Sequence, residues 1–156
     1  MKKNNKGFTL IELLAVIVVL AIIMVIATTQ INRTIKKSRA DAFVSSYQML
    51  YKTLKSGATS GLSNEEIIKE MDYSPKEFDV ALTGGGSSDY ALTVCTAGIK
   101  LESGAETGTG TGKFANMNLT DFYNPSQADG DKASIGSNIG SDYTVKEHCI
   151  TSTYSS

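Results

Sequence analysis

The chain has 156 residues, enough for one domain, and its formal net charge is −1 at pH 7. That small value conceals an asymmetry, because residues 1–56 carry nine basic and two acidic side chains whereas residues 57–156 carry six basic and fourteen acidic ones. The single histidine excludes zinc sites that need two histidines on one helix. The acidic C-terminal part serves either to keep a domain soluble or to contact the basic N-terminal part of another subunit.

An apolar segment extends from Phe8 to Ala27, and within it only Thr9 and Glu12 are polar. Twenty helical residues span roughly 30 Å, the thickness of the hydrocarbon core of a bilayer. The segment is longer than the apolar region of an ordinary secretory signal peptide, which favours a membrane anchor over a cleaved signal. Basic residues stand on both sides of it, so the positive-inside rule does not choose an orientation.

Glu12 is the unexpected residue of this segment. An acidic side chain costs about 2.5–3.5 kcal/mol near the centre of a membrane-spanning helix and less near an end. A plain anchor gives no reason to accept that cost. We therefore expect the carboxylate to have a function.

The residues around Glu12 suggest that function. Residues 6–14 read Lys-Gly-Phe-Thr-Leu-Ile-Glu-Leu-Leu, which closely resembles the processing motif of type IV pilins and the related pseudopilins. The resemblance is specific over these residues and extends as a pattern to about residue 56. It implies that a membrane-embedded aspartyl prepilin peptidase cleaves between Gly7 and Phe8 and methylates the new N-terminus at Phe8. It also implies that Glu12 is the acidic assembly residue at the fifth mature position.

Physical chemistry agrees with this resemblance. Cleavage after Gly7 would create an ammonium group at Phe8, at the same depth in the membrane as Glu12. Opposite charges attract strongly in a low-dielectric layer, where either one alone is costly. The two groups are one helical turn apart and can pair within one chain. Pairing between neighbouring helices is the alternative, and it would set the register of an assembly.

The predicted fold is α+β: a long N-terminal helix whose C-terminal half packs against a small antiparallel sheet. The predicted segments are a leader at residues 1–7, a membrane or filament-core helix at 8–27, its amphipathic continuation at 28–56, and a globular head at 57–156.

The sequence predicts where the long helix ends and which of its residues are buried. Many pilins have a proline where this chain has Thr29, and its absence predicts a helix that continues past Arg39 and stops at Gly57. An apolar stripe on the continuation is expected to form the domain core: Ile31, Ile35, Ala42, Phe43, Tyr47, Leu50 and Leu54.

The head is predicted to contain a short helix and a few strands. Ser63 and Glu66 form a capping-box pattern that begins the helix. Two strands joined by three glycines form a hairpin, a third strand and a mobile Gly/Thr-rich loop follow, and one strand closes the sheet. The expected ranges are 79–83, 89–96, 99–102, 103–113 and 143–150.

The chain has two cysteines, Cys95 and Cys149, both outside the apolar segment. An even number in a chain that begins with a membrane segment favours an oxidising compartment and one disulfide; two buried free thiols are the alternative. On the loop-entropy model such a bond contributes about 4 kcal/mol. A C-terminal loop held to the sheet in this way would resemble the pilin D-region.

No enzyme chemistry is expected. His148 and Cys149 are adjacent on a predicted strand and would point to opposite faces, which does not suit a nucleophile and its base. Residues 108–113 lack the first glycine and the Ser/Thr of a phosphate-binding loop. Residues 129–131 read Asp-Gly-Asp, which suits a polar turn or part of a calcium site. We expect no catalytic residue, no cofactor and no metal.

The expected function is therefore structural, as a type IV pilus subunit in a helical homo-oligomeric fibre. The resemblance implies that the precursor is a single-pass protein of the cytoplasmic membrane. It also implies that the assembled protein is in the pilus outside the cell. It also implies a prepilin peptidase, an assembly ATPase and platform proteins as partners, with roles in adhesion, motility or DNA uptake; nucleic-acid binding stays open. The alternatives are a pseudopilin of a type II secretion or competence machine, and a membrane-anchored adhesin that does not polymerise.

Overall fold

The computed structural model describes residues 9–123 and 143–155, and the chain divides into two units, Met1–Lys36 and Lys37–Ser156. The described residues have the α+β layout that the sequence predicts. Their helices and strands are α1 (Leu10–Thr59), α2 (Asn64–Glu70), β1 (Phe78–Gly85), β2 (Ser88–Thr96), β3 (Ile99–Glu102), β4 (Ala105–Gly108), β5 (Tyr143–Val145) and β6 (Cys149–Tyr154).

Helix α1 continues past Arg39, as predicted, and it also continues through Thr28 and Thr29. The hydroxyls of Thr28 and Thr29 donate to carbonyls one turn earlier, at 2.7 Å to Met24 and 2.9 Å to Ile26. β-Branched residues with this local hydrogen bonding are compatible with an unbroken helix.

The end of α1 differs from the prediction, because Gly57 lies inside the helix and the helix ends at Thr59. The backbone N–H of Leu62 donates to the carbonyl of Gly57 at 3.0 Å, and that of Gly61 donates to Ala58 at 3.1 Å. Gly61 has a φ of 72°. This is a Schellman motif, in which glycine supplies the left-handed residue that closes the helix. The stop is therefore Gly61, four residues after the predicted one.

The C-terminal part of α1 supplies much of the core of the unit Lys37–Ser156. Its buried residues recur at helical spacing: Ala40, Phe43, Val44, Tyr47, Leu50, Tyr51, Leu54 and Gly57. Phe43 packs against the rings of Phe78 and Phe114, each with centroids 5.4 Å away. The predicted stripe was wrong at its start, because Ile31 and Ile35 are exposed and the buried face begins at Ala40.

Tyr47 of α1 attaches the helix to the sheet by hydrogen bonds as well as by packing. The Tyr47 hydroxyl donates to the Leu92 carbonyl at 3.2 Å and lies 2.5 Å from the Ser152 hydroxyl. Burial raises the pKa of Tyr47 well above its usual range. The hydroxyl is therefore a satisfied polar group in an otherwise apolar interface.

The described strands form a four-stranded antiparallel sheet in the order β1-β2-β6-β5 and a separate pair, β3-β4. The predicted hairpin β1-β2 and strand β3 are present. Two predictions were wrong: the loop 103–113 contains β4, and the single closing strand 143–150 is two strands joined by a turn at Glu147 and His148. In that turn the chain reverses direction, which a continuous strand assignment cannot accommodate.

Cys95 on β2 and Cys149 on β6 are directly opposite each other, and their sulfurs are bonded at 1.98 Å. The predicted disulfide is therefore present. Ile99 is 5 % exposed and packs against the pair, with Leu101 partly buried beside it. The bond joins the central strand β2 to the last described strand of the chain.

Candidate assembly site

The residues that the sequence assigns to processing and assembly belong to the start of the chain. Gly7 and Phe8 lie outside the described residues, as do Asp129 and Asp131 of the possible calcium site. Glu12 lies in the first turn of α1 and is exposed.

Glu12 forms a reciprocal pair with Thr9, the residue before the helix. The backbone N–H of Thr9 donates to Oε2 of Glu12 at 2.8 Å, and the backbone N–H of Glu12 lies 3.4 Å from the Thr9 hydroxyl oxygen. This is a capping box, in which the Glu12 carboxylate satisfies the N–H of Thr9 at the helix start. The Glu12 N–H also donates to the Thr9 carbonyl at 3.1 Å. The carboxylate also stands at the positive end of the helix dipole.

Thr9 is a functional residue that the sequence analysis did not predict, although its sequence pattern is visible. Thr9-Leu10-Ile11-Glu12 has the same Ser/Thr-x-x-Glu pattern that predicted the start of α2. There the capping box of Ser63 and Glu66 is present, and the hydrogen bonds from Ser63 lower the pKa of Glu66. In residues 8–27 the capping pattern lies inside an apolar segment, whose composition predicts membrane insertion.

The hydrogen bond from Thr9 leaves Glu12 with unused capacity. An ionised carboxylate offers about four lone-pair sites and accepts bonds from several donors at once. The carboxylate can therefore keep its bond to Thr9 and accept from an ammonium group as well. A charge-assisted bond of that kind is roughly twice as strong as a neutral one.

The helix beyond Glu12 exposes a continuous apolar surface. All described residues from Thr9 to Arg39 are exposed, and the large apolar side chains between Leu10 and Ile26 are 51–85 % exposed. Soluble proteins rarely expose apolar patches of more than a few hundred Å², and larger ones mark interfaces or membrane contacts. By length and composition, α1 is able to cross a membrane, and none of its most apolar window is buried among the residues that the structure describes.

Comparison with known proteins gives one match. Residues 2–28 match the family model described as the prokaryotic N-terminal methylation motif, which is the signature of type IV prepilins and pseudopilins. No curated protein and no solved structure matches the chain. The match covers the processing motif and the apolar part of α1, and it indicates a pilin-like or pseudopilin protein.

Proposed function

We propose that this protein is a structural subunit of a type IV pilus, which polymerises through α1 after cleavage between Gly7 and Phe8. The observation that carries the proposal is the exposed apolar surface of α1, which begins beside a capped carboxylate and coincides with the methylation motif. An apolar surface of this extent must be shielded from water both before and after assembly. The membrane covers it in the precursor, and the helices of neighbouring subunits cover it in the fibre.

Processing changes the electrical environment of Glu12. Before cleavage the backbone at Phe8 is a neutral amide, and the local donor to the carboxylate is the Thr9 N–H. After cleavage and methylation the nitrogen of Phe8 is a cation, and its attraction to Glu12 is strong in an apolar layer. The charged pair then offsets the cost of burying either group, so assembly is favoured for processed chains.

The partners of this function follow from the same scheme. A prepilin peptidase removes residues 1–7 and methylates Phe8, and an assembly ATPase with platform proteins moves the chain from the cytoplasmic membrane into a homo-oligomeric fibre outside the cell. A pseudopilin of a secretion or competence machine is the second candidate, because it carries the same methylation motif and would use the same contact in a short fibre.

The proposal is tested by replacing Glu12 with alanine in a strain whose own copy is deleted. We expect Glu12→Ala to be cleaved and methylated normally and to yield no sheared fibre, because the ammonium of Phe8 loses its counter-charge. Glu65→Ala is the matched control, since Glu65 is an exposed acid on α2 and its loss changes the net charge equally. Normal fibre yield from Glu12→Ala would favour a membrane-anchored protein that does not polymerise.

A further inference from the structure

We propose that Glu147 and His148, with Glu106 as the positioning residue, form a binding site for a divalent transition-metal ion of the zinc type. One ligand-capable atom from each of the three residues lies within 4.8 Å of the other two. The residues come from strand β4 and from the turn between β5 and β6, so the fold brings them together. The proposal is independent of fibre assembly, and it revises the expectation that the head holds no metal.

The backbone of this turn is fixed before any ion binds. The carbonyl of Glu147 accepts the N–H of Leu119 at 2.6 Å, and the carbonyl of His148 accepts the N–H of Thr96 at 3.1 Å. The next residue, Cys149, is fully buried and forms the disulfide with Cys95. A site on a rigid element loses little conformational entropy when it binds a ligand.

Glu106 fixes the imidazole of His148 as well. Its Oε1 accepts the backbone N–H of His148 at 2.6 Å, and its Oε2 lies 2.7 Å from Nδ1 of the ring. A carboxylate in this position accepts a proton-bearing Nδ1, so in the neutral ring the lone pair is on Nε2. Histidines that bind metals almost always donate their other ring N–H to a carboxylate, a carbonyl or water.

The donor set favours a transition metal over calcium. Imidazole nitrogen with carboxylate oxygen suits Zn²⁺, Cu²⁺ and Ni²⁺, whereas Ca²⁺ prefers six to eight oxygen ligands. His148 is the single histidine of the chain, and both cysteines are used in the disulfide. Histidine-dependent zinc binding by this chain therefore reports on this turn alone.

The test measures Zn²⁺ binding by equilibrium dialysis of the full chain, purified in detergent and stripped of metal with a chelator. We expect one Zn²⁺ per chain, with affinity lowered at least tenfold in both Glu147→Gln and His148→Ala. Glu102→Gln is the control, because Glu102 is exposed on β3 outside the cluster, and its affinity should equal that of the wild type. Glu147 is also exposed, so its replacement leaves the fold intact.

A second measurement addresses the role of Glu106. Glu106→Ala keeps both ligands but removes the acceptor of Nδ1–H, and we expect binding to weaken about 10- to 100-fold. In the metal-free chain, nitrogen NMR of the single imidazole should show protonated Nδ1 in the wild type and a mixture of tautomers in Glu106→Ala. The proposal is overturned if Zn²⁺ does not bind saturably, or if Glu147→Gln and His148→Ala bind it with the affinity of the wild type. It is also overturned if the imidazole nitrogen signals do not shift when Zn²⁺ is added.

Discussion

Thr9 donates its backbone N–H to the carboxylate of Glu12, three residues further along the same chain, at 2.8 Å. The acidic side chain at the start of the apolar helix therefore has a partner inside its own subunit. Part of the cost of placing a carboxylate there is offset by capping α1, and this needs no contact with another chain. In the proposed processed chain, the ammonium of Phe8 would add a second donor to a carboxylate that Thr9 already holds in place.

The first prediction concerns this cap. Thr9→Val keeps the backbone donor and the shape of the side chain but removes the hydroxyl oxygen that stands 3.4 Å from the Glu12 N–H. Loss of a capping side chain costs about 1 kcal/mol. We expect amide hydrogen exchange in the first turn of α1 to become about fivefold faster in detergent micelles.

Thr53→Val is the control for that change. The Thr53 hydroxyl donates to the carbonyl of Met49 within the helix and caps nothing. Exchange in the first turn should be the same as in the wild type. Equal exchange in Thr9→Val and the wild type would show that the hydroxyl does not stabilise the helix start.

The second prediction concerns the buried tyrosine that joins α1 to the sheet. Tyr47→Phe leaves the Ser152 hydroxyl, which is 1 % exposed, without its partner at 2.5 Å. A buried polar group without a partner costs about 1–3 kcal/mol. Chemical denaturation should show that loss, and the double variant Tyr47→Phe with Ser152→Ala should lose less than the sum of the single changes.

Tyr51→Phe serves as the comparison, because the Tyr51 hydroxyl reaches the Thr153 carbonyl at 3.4 Å, a longer and weaker bond. We expect a smaller loss of stability than in Tyr47→Phe. Equal losses in the two variants would contradict the specific role given to the Tyr47 hydroxyl.

The third prediction is a dependence of stability on alkaline pH. Burial raises the pKa of Tyr47 in the folded protein above the value of about 10 that tyrosine has in an unfolded chain. The resulting stabilisation is complete below about pH 10 and is lost as the pH rises further, because the unfolded chain then releases a proton that the folded one retains. At pH 10.5 the wild type should have lost about 1 kcal/mol more than Tyr47→Phe, relative to pH 8. Parallel stability curves for the two proteins would contradict this assignment.

The fourth prediction concerns the disulfide. Cys95 and Cys149 are 54 residues apart in sequence, so replacing both with serine frees a long loop in the unfolded chain. The loop-entropy model gives a loss of about 4 kcal/mol. The midpoint of guanidinium denaturation should fall accordingly, and the reduced wild type should behave like the double variant. An unchanged midpoint in both would show that the bond adds nothing to stability.

The fifth prediction concerns Gly57, which lies inside α1 and is buried. A Cβ added there would be 2.6 Å from Cγ1 of Ile67, a fully buried residue of α2. Alanine normally improves a helix by about 1 kcal/mol over glycine, but overpacking of a core costs about 1–3 kcal/mol. We expect Gly57→Ala to be destabilising in thermal unfolding, whereas Ser56→Ala on the exposed face should be neutral or stabilising. A gain of stability in Gly57→Ala would contradict the close packing of α1 and α2.

The sequence predicted those features that depend on local patterns. The capping box at Ser63 and the hairpin around the three glycines follow from short-range chemistry. The disulfide partners follow from the cysteine count, because the chain has two cysteines. The start of the buried stripe could not be predicted from local patterns. Ile31 has the same helical spacing as Phe43, and only their tertiary contacts differ.

The errors in the head have similar causes. Strand β4 is Ala-Glu-Thr-Gly, which has no apolar alternation and is paired because β3 precedes it in a hairpin. The turn at Glu147 and His148 has neither glycine nor proline, so the usual turn signal is missing. The cluster of Glu106 with those two residues depends on that turn and on β4 together. The cluster therefore could not be predicted from the sequence alone.

Mass spectrometry of fibres sheared from the cell surface tests the proposed pilus function directly. We expect this chain to be a principal component of the fibres and its N-terminal peptide to begin with N-methylated Phe8, without residues 1–7. A chain that still begins with Met1 in the fibres, or fibres that lack this chain, would contradict it.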